Sequence, residues 1–196
     1  QAQVLALRDG SWQEAGRIDF VPLRLVTLNG IPYLVGARYA AGQNFFQERL
    51  YFLPWGAAAE SAGLQYRQAF PAMALDVSAD AEGRLQAVHA VDRDYAYRLL
   101  AADFAPRAPL AGKSGAALAV LDNAWLALSD HSRGSDQLFF YDIRDGGLRP
   151  VYTGKIDGEV QFLAAASWQG VQGFWAGVLP PGGGGRLVQF WGKSDG

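Results

Sequence analysis

The feature that most constrains the fold is a set of short apolar segments that pair around tight turns and recur about every 46 residues. The clearest copy is the run AALAVL, AWLALS, LFFYDI and LRPVYTG between residues 116 and 154. Its segments are separated by Asp122-Asn123, by a polar loop and by the turn at residues 144–147. Short apolar runs that end at Gly, Asn, Asp or Pro are typical of β-strands. This copy therefore predicts a four-stranded antiparallel meander.

Four copies of the meander can be aligned, and the strands of each copy are here called a, b, c and d. The a strands are apolar on both faces, which predicts burial between packed sheets. They are LRLVTL (23–28), MALDVS (73–78), AALAVL (116–121) and VQFLAAA (160–166). The turn Asn29-Gly30 strongly predicts a two-residue hairpin, because both of its positions favour positive φ. The copies cover about residues 22–70, 71–112, 113–157 and 158–196, so we predict a single all-β repeat domain over residues 1–196.

The N-terminal segment completes this pattern. Residues 4–16 (VLALRDGSWQEAG) match a c–turn–d hairpin, whereas the last copy has no d strand of its own. We therefore expect the segment 3–17 to supply a strand that closes the last sheet, which leaves the first c-like strand surplus. Radial meanders with such a closing strand resemble the β-propeller architecture, without the signature of any one subfamily. A β-sandwich, a barrel and a β-solenoid remain alternatives.

Composition excludes several kinds of chemistry. The 17 basic and 19 acidic residues are spread evenly, for a net charge of −2, so a nucleic-acid partner is not expected. Cysteine is absent, which removes disulfides and thiol catalysis. The two histidines, His89 and His131, are too few for a histidine zinc site, and no calcium-loop spacing occurs. The glycine run at 182–185 lacks the Lys-Ser/Thr of a phosphate loop, so no cofactor or metal is predicted.

Two further segments bear on the cellular location. The sequence starts at Gln1 without Met, which favours a secreted, periplasmic or cell-surface protein, with the cytoplasm as the alternative. The apolar stretch 160–179 contains three Gln and three Gly, with a turn-like segment near residue 169. It predicts two strands joined by a turn in place of a membrane span.

Candidate site residues lie in the loops that a propeller-like fold would gather on one face. Phe45 and Phe46 are adjacent in a polar loop, so alternation cannot bury both, and exposed aromatics are typical of recognition surfaces. The loop 129–136 combines two carboxylates, an imidazole and a guanidinium. His89, in an apolar strand, is predicted to be structural. The candidates for ligand or partner binding are Asn44, Phe45, Phe46, Asp92, Arg93, Asp94, Tyr95, Asp130, His131, Arg133 and Asp136.

These observations favour a non-catalytic binding or scaffolding module that presents loops to a protein or carbohydrate partner. No catalytic set is evident, and no nucleophile-elbow motif occurs. One alternative is a propeller-type hydrolase of glycosides or lactones that uses the loop carboxylates. Another is a protomer or fragment of a larger β assembly that self-associates through unpaired strand edges.

Overall fold

The structure, a computed structural model, describes residues 2–39, 41–43, 46–55, 64–67, 70–107, 114–131, 135–168 and 171–194. Within these ranges the protein is all-β, with sixteen strands in antiparallel sheets, as the sequence predicts. None of these residues belongs to a helix that could cross a bilayer. The apolar stretch at 160–179 forms two paired strands, which confirms its prediction.

The strands form an N-terminal hairpin and sheets of seven, four and three strands in chain order. The seven-stranded sheet consists of two meanders joined by a single pairing, so the four meanders are described below as the first to fourth sheets. The N-terminal hairpin contains β1 (Ala2–Arg8) and β2 (Ser11–Ile18). The first sheet contains β3 (Val21–Leu28), β4 (Ile31–Tyr39), β5 (Phe46–Pro54) and β6 (Leu64–Arg67), and the second contains β7 (Ala72–Ala79), β8 (Leu85–Asp92) and β9 (Tyr97–Ala101). The third sheet contains β10 (Leu118–Leu121), β11 (Trp125–Ser129), β12 (Gln137–Asp142) and β13 (Arg149–Lys155). The fourth contains β14 (Glu159–Trp168), β15 (Val171–Leu179) and β16 (Arg186–Ser194).

Each sheet corresponds to one copy of the sequence repeat, and its strands pair in chain order. The first and third sheets have all four strands. In the second, three strands are described, and an isolated bridge joins Leu100 to Pro106. Residues 108–113, which follow, lie outside the described residues. One pairing, Phe46 with Ala72, links the first and second sheets. The sequence repeat is therefore a structural repeat.

The N-terminal hairpin is used differently from the prediction. Among the described residues, β1 and β2 pair only with each other, so the expected closure of the fourth sheet is not formed. The strands within the described ranges form no closed propeller ring. Instead, the end of the hairpin covers the first sheet: Ile18 and Phe20 are buried, and the Phe20 ring stacks on Tyr51 at 5.5 Å. The first c-like strand, which the sequence pattern left surplus, is β1, and it pairs with β2 in the N-terminal hairpin.

Successive sheets pack face to face, and each of the three junctions has its own apolar core. Val35 and Phe52 of the first sheet pack with Val77 of the second. The remaining cores join the second sheet to the third and the third to the fourth. Because β7 and β10 lie in the middle of this stack, they are buried on both faces, as predicted, whereas β3 is only partly buried. Position in the stack therefore decides how buried each a strand is.

Tight turns also bind one sheet to the next. Asn29 and Gly30 adopt φ of 52° and 75°, as predicted for a two-residue hairpin. Asp122 and Asn123 adopt φ of 51° and 53° in a three-residue turn between β10 and β11. The Asn123 Oδ1 atom accepts a hydrogen bond from the backbone N–H of Ala79, 2.8 Å away in the second sheet. These turns thus fix the register between neighbouring sheets as well as that within a hairpin.

The junction of the third and fourth sheets provides a test of this packing. Gly158 has φ of 126°, and an added Cβ would lie 2.7 Å from the Leu179 carbonyl oxygen. We expect Gly158→Ala to lower the free energy of unfolding by about 2 kcal/mol, because it adds a steric clash to an unfavourable φ. Gly182→Ala, with no atom within 4 Å, is the matched control and should change it little. Urea denaturation measures both, and equal effects would contradict this account of the junction.

Candidate functional site

A pocket of about 570 Å³ lies where the first strands of all four sheets converge. Its wall is formed by parts of β3, β7, β10 and β14 together with the side chains of Tyr39 and Phe46. Most of the lining is apolar, and Arg24, Asp76 and Gln161 are its long or charged polar side chains. A concave site of this volume that combines apolar side chains with a few polar groups is typical of small-ligand sites. The pocket is therefore the leading candidate site among the described residues.

Asp76 is the charged centre of the pocket wall. Its side chain is 7% exposed, and its Oδ2 atom accepts hydrogen bonds from the Arg24 guanidinium of the first sheet and from the Val120 N–H of the third, the latter at 2.7 Å. Its Oδ1 atom accepts the Val77 N–H at 2.8 Å. Burial raises the pKa of this carboxyl to about 6, although Arg24 and the backbone hydrogen bonds oppose the rise. One carboxylate thus connects three consecutive sheets.

Arg24, the partner of Asp76 in this ion pair, also lines the pocket. Its side chain is 23% exposed, so part of it remains accessible from the pocket. A guanidinium carries five N–H donors, and the hydrogen bond to Asp76 occupies one of its terminal nitrogens. The remaining donors can orient a ligand oxygen.

Replacing Asp76 tests whether this carboxylate holds the sheets together. Asp76→Ala should lower the free energy of unfolding by about 3 kcal/mol, because it leaves Arg24 and the Val120 N–H without their acceptor. Asp76→Asn keeps an oxygen acceptor and should cost less. Chemical denaturation of the two variants measures the difference. A loss below about 1 kcal/mol for Asp76→Ala would contradict the role of this residue as a link between sheets.

Phe46, the described candidate of the first sheet, occupies a different position from the one expected. Phe46 was a candidate because it was expected to lie in a polar loop, but it begins β5, is 2% exposed and packs against Tyr39 with ring centroids 4.6 Å apart. That prediction is corrected: β5 begins earlier than the apolar pattern indicates, and its first side chain points into the core. Asn44 and Phe45 lie outside the described residues, as does Arg133 of the third-sheet loop.

Asp92 shapes its own loop. Its Oδ1 atom accepts the N–H groups of Asp94 and Ala96 at 2.9 Å each, and its Oδ2 atom accepts Nε of Arg98 at 2.7 Å. Burial by itself would raise the pKa of this carboxyl, but these hydrogen bonds outweigh it and hold the pKa below its usual value. Arg93 and Asp94 are exposed at the tip of the turn. Asp92 therefore stabilises the β8–β9 turn, which is a structural role.

The structure does bring two of the predicted loops together. The ring of Tyr95, in the β8–β9 turn, lies on the imidazole of His131 with centroids 3.8 Å apart. Tyr95 itself has φ of 62°, and its carbonyl oxygen accepts the Ser114 N–H at 2.8 Å. His131 is exposed. These two residues form an aromatic contact between the second and third sheets, on the loop surface that the sequence singled out.

Asp136 and Asp130 form a second cluster in the same loop region. Asp136 is 4% exposed; its Oδ2 atom accepts the Val160 N–H at 2.6 Å, while its Oδ1 atom is buried and has no hydrogen-bond partner among the described groups. Burial raises the pKa of Asp136 to about 6, and the nearby carboxylates of Asp130 and Glu159 add to the rise. Two ionised carboxylates can only accept hydrogen bonds, so a proton on Asp136 would give the pair with Asp130 a hydrogen-bond donor.

This cluster predicts a specific pH dependence. The folded state holds the Asp136 proton more tightly than the unfolded chain, so its contribution to stability is lost as pH rises from about 4 to about 6. Asp136→Asn replaces the proton with an amide donor and should remove this loss. We expect the variant to match the wild type near pH 4 and to exceed its free energy of unfolding by about 1 kcal/mol at pH 8.

Urea denaturation at several pH values measures the effect. Asp94→Asn, on an exposed side chain of a neighbouring loop, is the control and should not alter the pH profile. The proposed protonation would be contradicted if the free energies of unfolding of Asp136→Asn and the wild type differed by the same amount at every pH.

His89 belongs to a hydrogen-bonded chain inside the second sheet. Its Nε2 atom is 3.1 Å from Ser78 Oγ and its Nδ1 atom is 2.7 Å from the Tyr97 hydroxyl. Burial lowers the pKa of the imidazole to about 3, and Arg24 and Arg107 lower it further, so the ring is neutral at neutral pH. The order hydroxyl, imidazole, hydroxyl is that of an activated nucleophile. All three side chains are at most 2% exposed, however, so His89 is structural, as predicted.

Sequence reasoning directed attention to the loops and missed the pocket. The signal was present: Arg24 and Asp76 are the charged residues of two mostly apolar strands, LRLVTL and MALDVS. A charge in a strand buried between sheets needs a partner, and each of these residues is the partner of the other. The described residues contain no cluster of His, Asp or Glu that could hold a metal ion. No protein-family model matches the chain, and no curated protein matches it.

Proposed function

We propose that this protein is a non-catalytic binding module with a propeller-like arrangement of four sheets, and that its pocket takes a carbohydrate. The observation that carries the proposal is the convergence of four equivalent strands on one pocket of about 570 Å³. A volume in this range accommodates about two or three sugar rings. The alternative is that the module binds a protein partner, through the pocket or through the loops.

The lining suits a sugar chemically. Tyr39 is 49% exposed and offers an aromatic face, against which the C–H face of a pyranose ring can pack. The exposed amide of Gln161 and the guanidinium of Arg24 supply donors and an acceptor for hydroxyl groups. Because Arg24 is already ion-paired with Asp76, the site as a whole carries little net charge. A neutral or weakly acidic oligosaccharide fits this combination.

The same geometry favours binding over hydrolysis by the loop carboxylates. A glycosidase needs two carboxyl groups about 5 to 10 Å apart with substrate between them. Asp92 is engaged in its turn, and Asp136 is buried beside Asp130 with no room for a sugar between them. These residues stabilise loops, so the hydrolase remains the weaker proposal.

The proposal can be tested by filling the pocket. The protein should bind members of a microarray of di-, tri- and tetrasaccharides, and calorimetry with the best oligosaccharide gives the affinity. Gln161→Trp places an indole in the pocket from an exposed position and should weaken that affinity at least tenfold. Thr153→Trp, at an exposed position of β13 outside the pocket lining, is the control and should bind like the wild type.

The outcomes separate the alternatives. No binding to any oligosaccharide would contradict the carbohydrate proposal. Binding that survives Gln161→Trp but is lost in His131→Ala would move the partner to the loop surface around Tyr95 and His131. Cleavage of a bound oligosaccharide would instead support the hydrolase.

A further inference from the structure

The ion pair in the pocket wall has two members that are unequally accessible. The side chain of Arg24 is 23% exposed, whereas that of Asp76 is 7% exposed. Asp76 accepts hydrogen bonds from three sides: from Arg24 and from the backbone N–H groups of Val77 and Val120. Within the described part of the chain, Asp76 is the hydrogen-bond partner of the Arg24 guanidinium. A molecule that enters the pocket therefore reaches the cation more readily than the anion.

The guanidinium of Arg24 suits a carboxylate better than a hydroxyl group. Its five N–H donors form a planar fork that matches the two oxygens of a carboxylate, and hydrogen bonds between ionised groups are the stronger ones. The hydrogen bond to Asp76 involves Nη1, which leaves donors for a second acceptor. Gln161, which also lines the pocket, is uncharged. Arg24 is therefore the side chain that can distinguish an acidic sugar from a neutral one.

A ligand carboxylate on Arg24 would lie close to the carboxylate of Asp76. Two carboxylates beside one guanidinium repel each other, which favours the uptake of a proton by one of them. Burial already raises the pKa of Asp76 to about 6, whereas a sugar carboxyl that stays in contact with water has an ordinary pKa of roughly 3 to 4. The proton therefore goes to Asp76, which keeps acceptor capacity for the N–H groups of Val77 and Val120.

The other titratable groups around Asp76 do not compete for this proton near pH 6. His89 lies directly across from Asp76 in the second sheet, and burial lowers the pKa of its imidazole to about 3. Burial raises the pKa of the Tyr97 phenol above its ordinary value. β10 and residues 161–165 of β14 contribute no titratable side chain to the lining. The titratable groups on the elements around Asp76 are Arg24 of β3, Tyr39 of β4, His89 of β8, Tyr97 of β9 and Arg107, which follows β9.

We propose that the pocket selects oligosaccharides that carry a carboxylate, that Arg24 binds this carboxylate, and that Asp76 takes up one proton when the ligand binds. This inference rests on the carbohydrate function proposed above. The proton comes from the solvent and returns to it when the ligand leaves, so the step needs no co-reactant. Because the complex contains protonated Asp76, the affinity for an acidic oligosaccharide falls as pH rises above about 6.

Matched ligands test this selectivity on the unaltered protein. The probes are the trimers of glucuronic, galacturonic and mannuronic acid, each compared with its carboxyl-reduced form, in which CH₂OH replaces the carboxylate. At pH 5.5, calorimetry should show that at least one acidic trimer binds about tenfold more tightly than its reduced form. Its affinity should fall about fivefold or more between pH 5.5 and pH 7.5, whereas the affinity of the reduced form should not change.

Proton uptake can be measured separately. Calorimetry at pH 7.5 in two buffers with different ionisation enthalpies should show that binding of the acidic trimer takes up about one proton. Asp76→Asn imitates the protonated carboxyl, so it should bind the acidic trimer at pH 7.5 as tightly as the wild type does at pH 5.5. The variant should also lose the pH dependence.

A second variant tests the role of Arg24. Arg24→Gln should remove the preference for the acidic trimer, and Arg24→Lys should restore part of it because the charge returns without the fork. Arg8→Gln, at an exposed residue of the N-terminal hairpin outside the lining, is the matched control and should bind like the wild type. Circular dichroism checks that each variant folds. Should Arg24→Gln fail to fold, the matched ligands on the wild type still decide.

The outcomes separate this inference from the carbohydrate function on which it rests. Equal affinities for the acidic and reduced trimers would overturn the inference alone, as would binding of neutral oligosaccharides without binding of any acidic trimer. A preference for the acidic trimer that persists in Arg24→Gln, or that involves no proton uptake, would also overturn it. Absence of binding to every oligosaccharide would overturn both proposals.

Discussion

The carboxylate of Asp76 is the interaction on which the arrangement of the sheets depends. It is almost fully buried, and it accepts hydrogen bonds from the first, second and third sheets at once. Sheet-on-sheet packing by apolar side chains is non-directional and could slide, whereas these hydrogen bonds fix one register. Because Arg24 both pairs with Asp76 and faces the pocket, the same ion pair that orders the sheets also determines the polarity of the candidate site.

Repetition explains both the pocket and the exposed outer face of the fourth sheet. Four equivalent strands converge because four copies of one meander stack in sequence, and the pocket is the space that their first strands leave between them. A stack that does not close has two end faces. The N-terminal segment covers one with Ile18 and Phe20, and the fourth sheet leaves the other exposed. The candidate pocket and the exposed end of the stack thus both follow from one architecture.

The local structure could be predicted well because its signals are local. The hairpin at Asn29-Gly30, the strand pair at 160–179 and the order of strands in each sheet follow from alternation and turn residues. Phe46 could not be predicted, because its environment depends on a strand that begins before its apolar pattern does. Asp92 and Asp136 were recognised as chemically notable residues, yet composition cannot distinguish a carboxylate that holds a turn from one that faces a ligand.

The sequence by itself determined the all-β class, the fourfold repeat and the hairpins, since these depend on periodicities within a few residues. Only the tertiary structure decided which a strands are buried, since that depends on position in the stack. It also decided that Arg24 and Asp76, 52 residues apart, form one ion pair, and that the N-terminal hairpin remains separate from the fourth sheet. Contacts over such separations depend on how whole sheets pack, and no local pattern encodes them.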